Sequence, residues 1–217
     1  MPKYILRTVG ASASPEWIAN VNPFVVVLSV YFITNLMRKV KAVYSMSVGM
    51  FLMPVSALAM ASSYLLESFT GTSVSIFGLF TAHPITVMLI VGIVFQGLAE
   101  CFISPRYLEY FSLQAPKGEE GLYLGFSHLH SFLSSLLGFG ISGYLLTAYC
   151  PDPSTVAPEL LPTAYDKAYY IWFYFAAIGV VAAFALLIYG KITDAFDKRK
   201  KNLTEKDVLE SVEQELL

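Results

Sequence analysis

Five long stretches of the chain carry no charged side chain, and that pattern limits the folds open to it more than any other feature. A helix needs about 20 apolar residues to cross the hydrocarbon of a bilayer. Uncharged runs extend over 17–37, 42–66, 68–99, 121–151 and 168–190. The start of the third, Ser68-Phe-Thr-Gly-Thr-Ser73, reads as a loop, so its helix should begin near Pro84, a residue suited to a first turn. The predicted spans are 23–37, 42–66, 84–104, 122–149 and 168–190, and Tyr107 to Leu113 could extend the third beyond Pro105. Residues 1–22 form a lead-in, and 191–217 a tail.

Composition supports this reading. Apolar residues make up 56% of the 217 and charged residues 14%, below the usual quarter of a soluble domain. The balance of 14 Lys and Arg against 16 Asp and Glu lacks the basic excess of a nucleic-acid binder. Two cysteines, Cys101 and Cys150, make neither a disulfide framework nor a metal motif, and no cofactor is implied. No Ser-His-Asp, metal-ligand or phosphate-loop arrangement points to an enzyme.

Orientation follows from the basic residues. Arg38-Lys39-Val40-Lys41 links the first two spans, Arg106 and Lys117 lie between the third and fourth, and Lys191 to Lys206 follow the fifth. If these regions are cytoplasmic, only Lys3, Arg7 and Lys167 of the 14 lie outside. The expectation is a multi-pass protein of the plasma or inner membrane with a cytoplasmic C-terminus. The N-terminus would then lie outside with nothing to deliver it there, as in the later part of a longer membrane protein. A true five-span protein with a translocated N-tail is the alternative.

Within the third span, Gly92, Gln96, Glu100 and Ser104 recur every four residues and drift only about 40° per step. Glu100 is the only acid inside this uncharged run. An ionised carboxylate in lipid is expensive, so it should face the bundle interior, a partner or water, where a desolvated acid can carry a proton. The other reading ends the helix near Ser104 and leaves Glu100 at the interface. Gln96, Glu100 and Ser104 are the candidate proton-coupling and substrate-binding residues. His128 and His130, two apart and so pointing in different directions, are candidate proton relays or hydrogen-bonding partners of a neighbouring helix.

Small residues at steps of three and four mark packing faces. The fourth span carries Ser134, Gly138 and Ser142, and the fifth carries Gly179 and Ala183. In the tail, Val208, Leu209, Val212 and Leu216 give a short amphipathic helix from Leu203 onward.

These features resemble the C-terminal portion of a major facilitator superfamily transporter, its eighth to twelfth helices. The fold class is thus an all-α membrane protein whose five helices form most of the C-terminal half of that fold. Within the superfamily, several motifs resemble the proton-dependent oligopeptide transporter family. They are Asn22-Pro23 before Phe-Val-Val-Val-Leu, Gly97-Leu98-Ala99-Glu100 before Ile103-Ser104-Pro105, and Gln114-Ala115-Pro116 before Gly121-Leu122-Tyr123-Leu124-Gly125. Pro2-Lys3-Tyr4-Ile5 through Ala13 resembles the exit from a seventh helix. The chain departs from the family at the eleventh-helix tryptophan, where Phe126 and Ser127 stand, and in a degenerate Asn35-Leu-Met-Arg38-Lys39 loop motif. The resemblance implies proton-coupled symport of di- or tripeptides, with Glu100 in the central cavity near the substrate's amino end. The partners it implies are membrane lipid, a small solute, protons and the missing N-terminal half, and no nucleic acid. Alternatives are a non-transporting membrane scaffold and a facilitator of another solute class.

Overall fold

The computed structural model describes every residue except 1, 11–12, 77–79 and 216–217, with backbone alone at 76, 80, 162 and 203–215. Helices dominate. In order they are α1 (Pro2–Thr8), α2 (Pro15–Ala19), α3 (Val21–Met37), α4 (Ala42–Ala61), α5 (Ser63–Thr70), α6 (Pro84–Gln114), α7 (Glu120–Ser127), α8 (Leu129–Tyr149) and α9 (Tyr170–Glu215). One small antiparallel hairpin, β1 (Val74–Ile76) with β2 (Phe80–Ala82), interrupts them, Val74 facing Ala82. Five helical stretches are long and apolar enough to cross a membrane: Pro15–Met37, Ala42–Thr70, Pro84–Gln114, Glu120–Tyr149 and Tyr170–Asn202.

Several boundaries depart from the sequence reading. The first helical stretch starts at Pro15, because Pro15 opens α2 and Asn20 joins α2 to α3 without leaving helical backbone. The lead-in is helical too, and its Tyr4 and Ile5 are buried. The third span, by contrast, follows the longer of its two readings, past Ser104. Pro105 is accommodated inside α6, which continues to Gln114. The fourth span is divided at His128, where one turn separates α7 from α8. Gly190-Lys191 is no stop, since α9 runs unbroken to Glu215 through a segment rich in helix-forming Lys and Glu. The tail is therefore a continuation of α9 rather than a separate helix. The side chains of its amphipathic face, Val208, Leu209, Val212 and Leu216, lie outside the described residues.

Helices α4, α6 and α9 form the packed centre, and small residues set their approach. Between α4 and α6, a Cβ on Gly49 would lie 2.7 Å from the Ala99 carbonyl, and one on Gly92 would lie 2.9 Å from the Ser56 carbonyl. Two hydroxyls bind across the same seam: Ser56 Oγ donates to the Gly92 carbonyl at 2.7 Å, and Ser45 Oγ to the Phe102 carbonyl at 3.2 Å. On the other side of α4, Gly179 of α9 meets the Pro54 ring, a Cβ there lying 3.1 Å from Cδ, and Ala183 is fully buried. Gly179 thus has its partner in α4. For Ser134, Gly138 and Ser142 the result differs. Ser134 is exposed and a Cβ on Gly138 would meet nothing within 4 Å, whereas Ser142 is half-buried, so among the described residues the face is open around Ser134 and Gly138.

A second core closes the end remote from the basic link. Tyr4, Ile5, Ile18, Ile85, Leu89, Cys150, Ala168 and Ile171 are buried together there. His83 caps α6 at this end, its Nδ1 accepting from the Ile85 amide at 3.3 Å, with Pro84 next to it. Arg7 reaches across to donate to the Cys150 carbonyl at 2.6 Å and to Asp152 Oδ2 at 2.8 Å.

Candidate functional site around Glu100

Glu100 lies half-buried on α6 and faces α3. Its Oε2 accepts a hydrogen bond from Asn22 Nδ2 at 3.1 Å. Asn22 belongs to the first turn of α3, immediately before Pro23, so the bond ties the start of one helix to the middle of another. Gly97 makes this approach possible. A Cβ at Gly97 would come within 2.8 Å of Asn22 Oδ1 and 3.0 Å of a Val25 methyl. One turn further along the same seam, the Cys101 thiol points to the Val26 carbonyl at 3.8 Å.

The oxygen of the Asn22 amide is the unusual atom of this pair. Oδ1 is buried and has no hydrogen-bond partner. A buried polar atom left unpaired costs more than a hydrogen bond returns, so such an atom calls for an explanation. An ionised carboxylate can only accept, whereas a protonated one also donates.

The stripe read from the sequence does not open on a single cavity. Gly92 packs against Met60 and Ser56 of α4, whereas Glu100 turns to α3. The accumulated drift over two steps, about 80°, is enough to separate the two contacts. Gln96 is half-buried between them, and Ser104 is exposed.

The two histidines also part company. His128 is exposed at the joint between α7 and α8. His130 reaches back to α6, where the Tyr107 hydroxyl and its Nδ1 lie 2.7 Å apart. The same hydroxyl stands 2.6 Å from the Ser127 carbonyl, and the two rings are 5.0 Å apart. His130 is therefore coupled to the helix that carries Glu100, two turns beyond it.

Two residues of this region have roles the sequence does not show. Asn22 stands in the Asn22-Pro23 motif, but nothing in that motif points to a bond with Glu100. Arg106 reads as one more basic loop residue, yet it is buried, because α6 continues through Pro105. Its guanidinium pairs with Glu109 and donates to the Met37 carbonyl at the end of α3, where a helix presents unpaired carbonyls and a negative dipole end. The i, i+3 spacing of Arg106 and Glu109 is the clue the sequence does contain. Lys41 and Tyr44 similarly bind Asp194 of α9, so the basic link, the end of α6 and α9 share one end of the bundle.

At the opposite end the electrostatics are local. The Asp152 carboxyl is held below its usual 3.8 by the Ser154 hydroxyl and amide, and then by Arg7. Burial pushes the Cys150 thiol up to about 11 and the Tyr4 phenol up to about 12. Among the described residues no three His, Cys, Asp or Glu side chains converge as metal ligands would.

Neither a curated protein nor a solved structure matches the chain. A sequence profile of the POT family does, over residues 4–157. The matched region takes in α3, α6 and α8, and with them Asn22, Gly97, Glu100, Tyr107 and His130. With five membrane-length helices and this match, the chain is an integral membrane protein that belongs to the POT family of proton-dependent oligopeptide transporters.

Proposed function

We propose that the chain forms the substrate- and proton-handling helices of a proton-coupled symporter for di- or tripeptides, with Glu100 as the titrating acid. One observation carries the reading: Glu100 bonds Asn22, whose second amide atom is buried and unpaired. When Glu100 is ionised, the pair is held by the single bond from Asn22 Nδ2. On protonation, the acid hydroxyl donates to Asn22 Oδ1 while its carbonyl still accepts from Nδ2, a cyclic acid–amide pair. α3 and α6 are then joined twice instead of once. Proton loss frees the carboxylate to receive the ammonium group of a peptide. Proton and substrate thus compete for one group, and the seam between α3 and α6 tightens or loosens with it.

A site of this kind lies near the midplane between two helical halves. The face of α8 around Ser134 and Gly138 is open among the described residues and, with Ser142 on the same stripe, suits close packing against further helices. The reading places the basic link, the connection after α6 and the end of α9 in the cytoplasm of a cell whose plasma membrane the protein spans. Tyr107 and His130 supply a path for protons toward that side. The test is Glu100→Gln in the transporter that contains this chain. Proton-driven peptide uptake falls to background while membrane insertion stays normal. Normal uptake with an unchanged pH profile would refute the assignment.

A further inference from the structure

Near its C-terminal end, α3 and the facing turns of α6 enclose a groove of about 740 Å³. Val30, Tyr31, Thr34, Asn35 and Arg38 line it from the α3 side, and Arg106 with Glu109 borders it from α6. Positions 30, 31, 34 and 38 share one face at helical spacing. Val30 and Tyr31 make its apolar end, Thr34 and Asn35 are polar, and Arg38 with the Arg106–Glu109 pair makes the other end charged. Arg38 and Arg106 also line a neighbouring cleft of about 640 Å³, together with Lys39, so the two openings meet at a common basic mouth.

The four cations that line that cleft, Arg38, Lys39, Lys41 and Arg106, outnumber its three acids, Glu109, Asp194 and Asp197. Glu109 is taken by Arg106, and Asp194 by Lys41. Arg38 and Lys39 are exposed and have no acidic partner among the described residues. The Arg106 Nε is a buried donor with no acceptor. Membrane topology alone accounts for basic residues at the end of a span. It does not account for an open groove with Val30 and Tyr31 at its far end, Tyr31 standing 73% exposed there. A ligand that answers both features has an anionic head and an apolar tail.

We propose that this groove seats an anionic phospholipid, its phosphate held between Arg38 and Lys39 above the Arg106–Glu109 pair and one acyl chain lying along Val30 and Tyr31. A guanidinium presents a fork of donors that matches phosphate oxygens, and the lysine adds a mobile point charge. A zwitterionic lipid brings its own cation to the same mouth and is disfavoured there. Basic pockets between membrane helices are a recurrent setting for anionic head groups.

A photoreactive benzoylphenylalanine at Tyr31 tests this in the intact 217-residue chain, reconstituted in bilayers of equal parts phosphatidylglycerol and phosphatidylcholine. After illumination, mass spectrometry identifies the adduct. The phosphatidylglycerol adduct should dominate. It should fall about tenfold in Arg38→Gln/Lys39→Gln, and persist in Lys191→Gln/Arg199→Gln, which removes equal charge outside the groove. Equal adducts to both lipids, equal loss in the control, or an adduct to a second copy of the chain would overturn the proposal.

Discussion

Gly97 and Asn22 are in contact through the absence of a side chain: a Cβ at position 97 would stand 2.8 Å from Asn22 Oδ1, closer than real Cβ atoms come. The Glu100–Asn22 bond depends on that gap, because Glu100 lies less than one turn along α6 from Gly97. Gly97→Ala should therefore push α3 away from α6. Overpacking of this kind costs about 1–3 kcal/mol, and thermal unfolding in detergent reads it as a lowered midpoint. Gly138→Ala, where nothing lies within 4 Å, should leave the midpoint of this chain unchanged.

The strap from Arg7 to the Cys150–Asp152 segment should weaken in acid. The Asp152 carboxyl is depressed in the folded protein, by Ser154 first and Arg7 after it. A depressed acid contributes its stability above its unfolded value and loses it as pH falls through the folded one. The strap is thus intact at neutral pH and is released below about pH 3.8, the ordinary value of the group. Hydrogen exchange over residues 2–8 should accelerate in that window, and Asp152→Asn should abolish the pH dependence. Acceleration already at pH 6 in the wild type would contradict this assignment.

Cys150 should be inert in the folded chain. It is fully buried, and its thiol is pushed up to about 11. At pH 8 only about one thiol in a thousand would be ionised, and the thiolate is the reactive form. Maleimide should modify Cys150 only after unfolding in denaturant. Rapid labelling of the native chain at pH 8 would show that the core around Tyr4 and Ile5 opens readily.

Much of this architecture can be read in the sequence, for a plain reason. Charge is so costly in hydrocarbon that spans betray themselves by its absence, and Gly179 and Ala183 announce their contact by spacing alone. What is harder to read depends on partners far along the chain. Pro105 looks like a place to stop, but packing of Ser45 and Gly49 against the turns around Phe102 holds α6 helical through it. Arg106 is consequently a buried cap for α3 rather than a loop cation. Gly190 looks like a stop, yet its missing side chain admits Val43 of α4, and α9 continues. The bond from Asn22 to Glu100 becomes visible only when α3 and α6 are laid side by side. The continuity of a four-residue stripe says nothing about which neighbour each member meets, which is why Gly92 and Glu100 face different helices.

Sidedness is a separate prediction. With Cys101 and Cys150 replaced, Ala157→Cys should react with a membrane-impermeant thiol reagent in intact cells, and Lys200→Cys should not. The opposite pattern would invert the topology and move the basic end of the bundle outside.

The most direct test of the central claim follows protons rather than peptide. Proteoliposomes holding the protein and a trapped pH-sensitive dye should acidify inside when a dipeptide is added outside. Glu100→Gln keeps the shape and the bond from Asn22 but cannot carry the proton. The account predicts that dipeptide-driven acidification disappears in this variant, while a control, Glu109→Gln, acidifies as the wild type does. Acidification by Glu100→Gln at the wild-type rate would contradict it and leave Glu100 as a structural partner of Asn22.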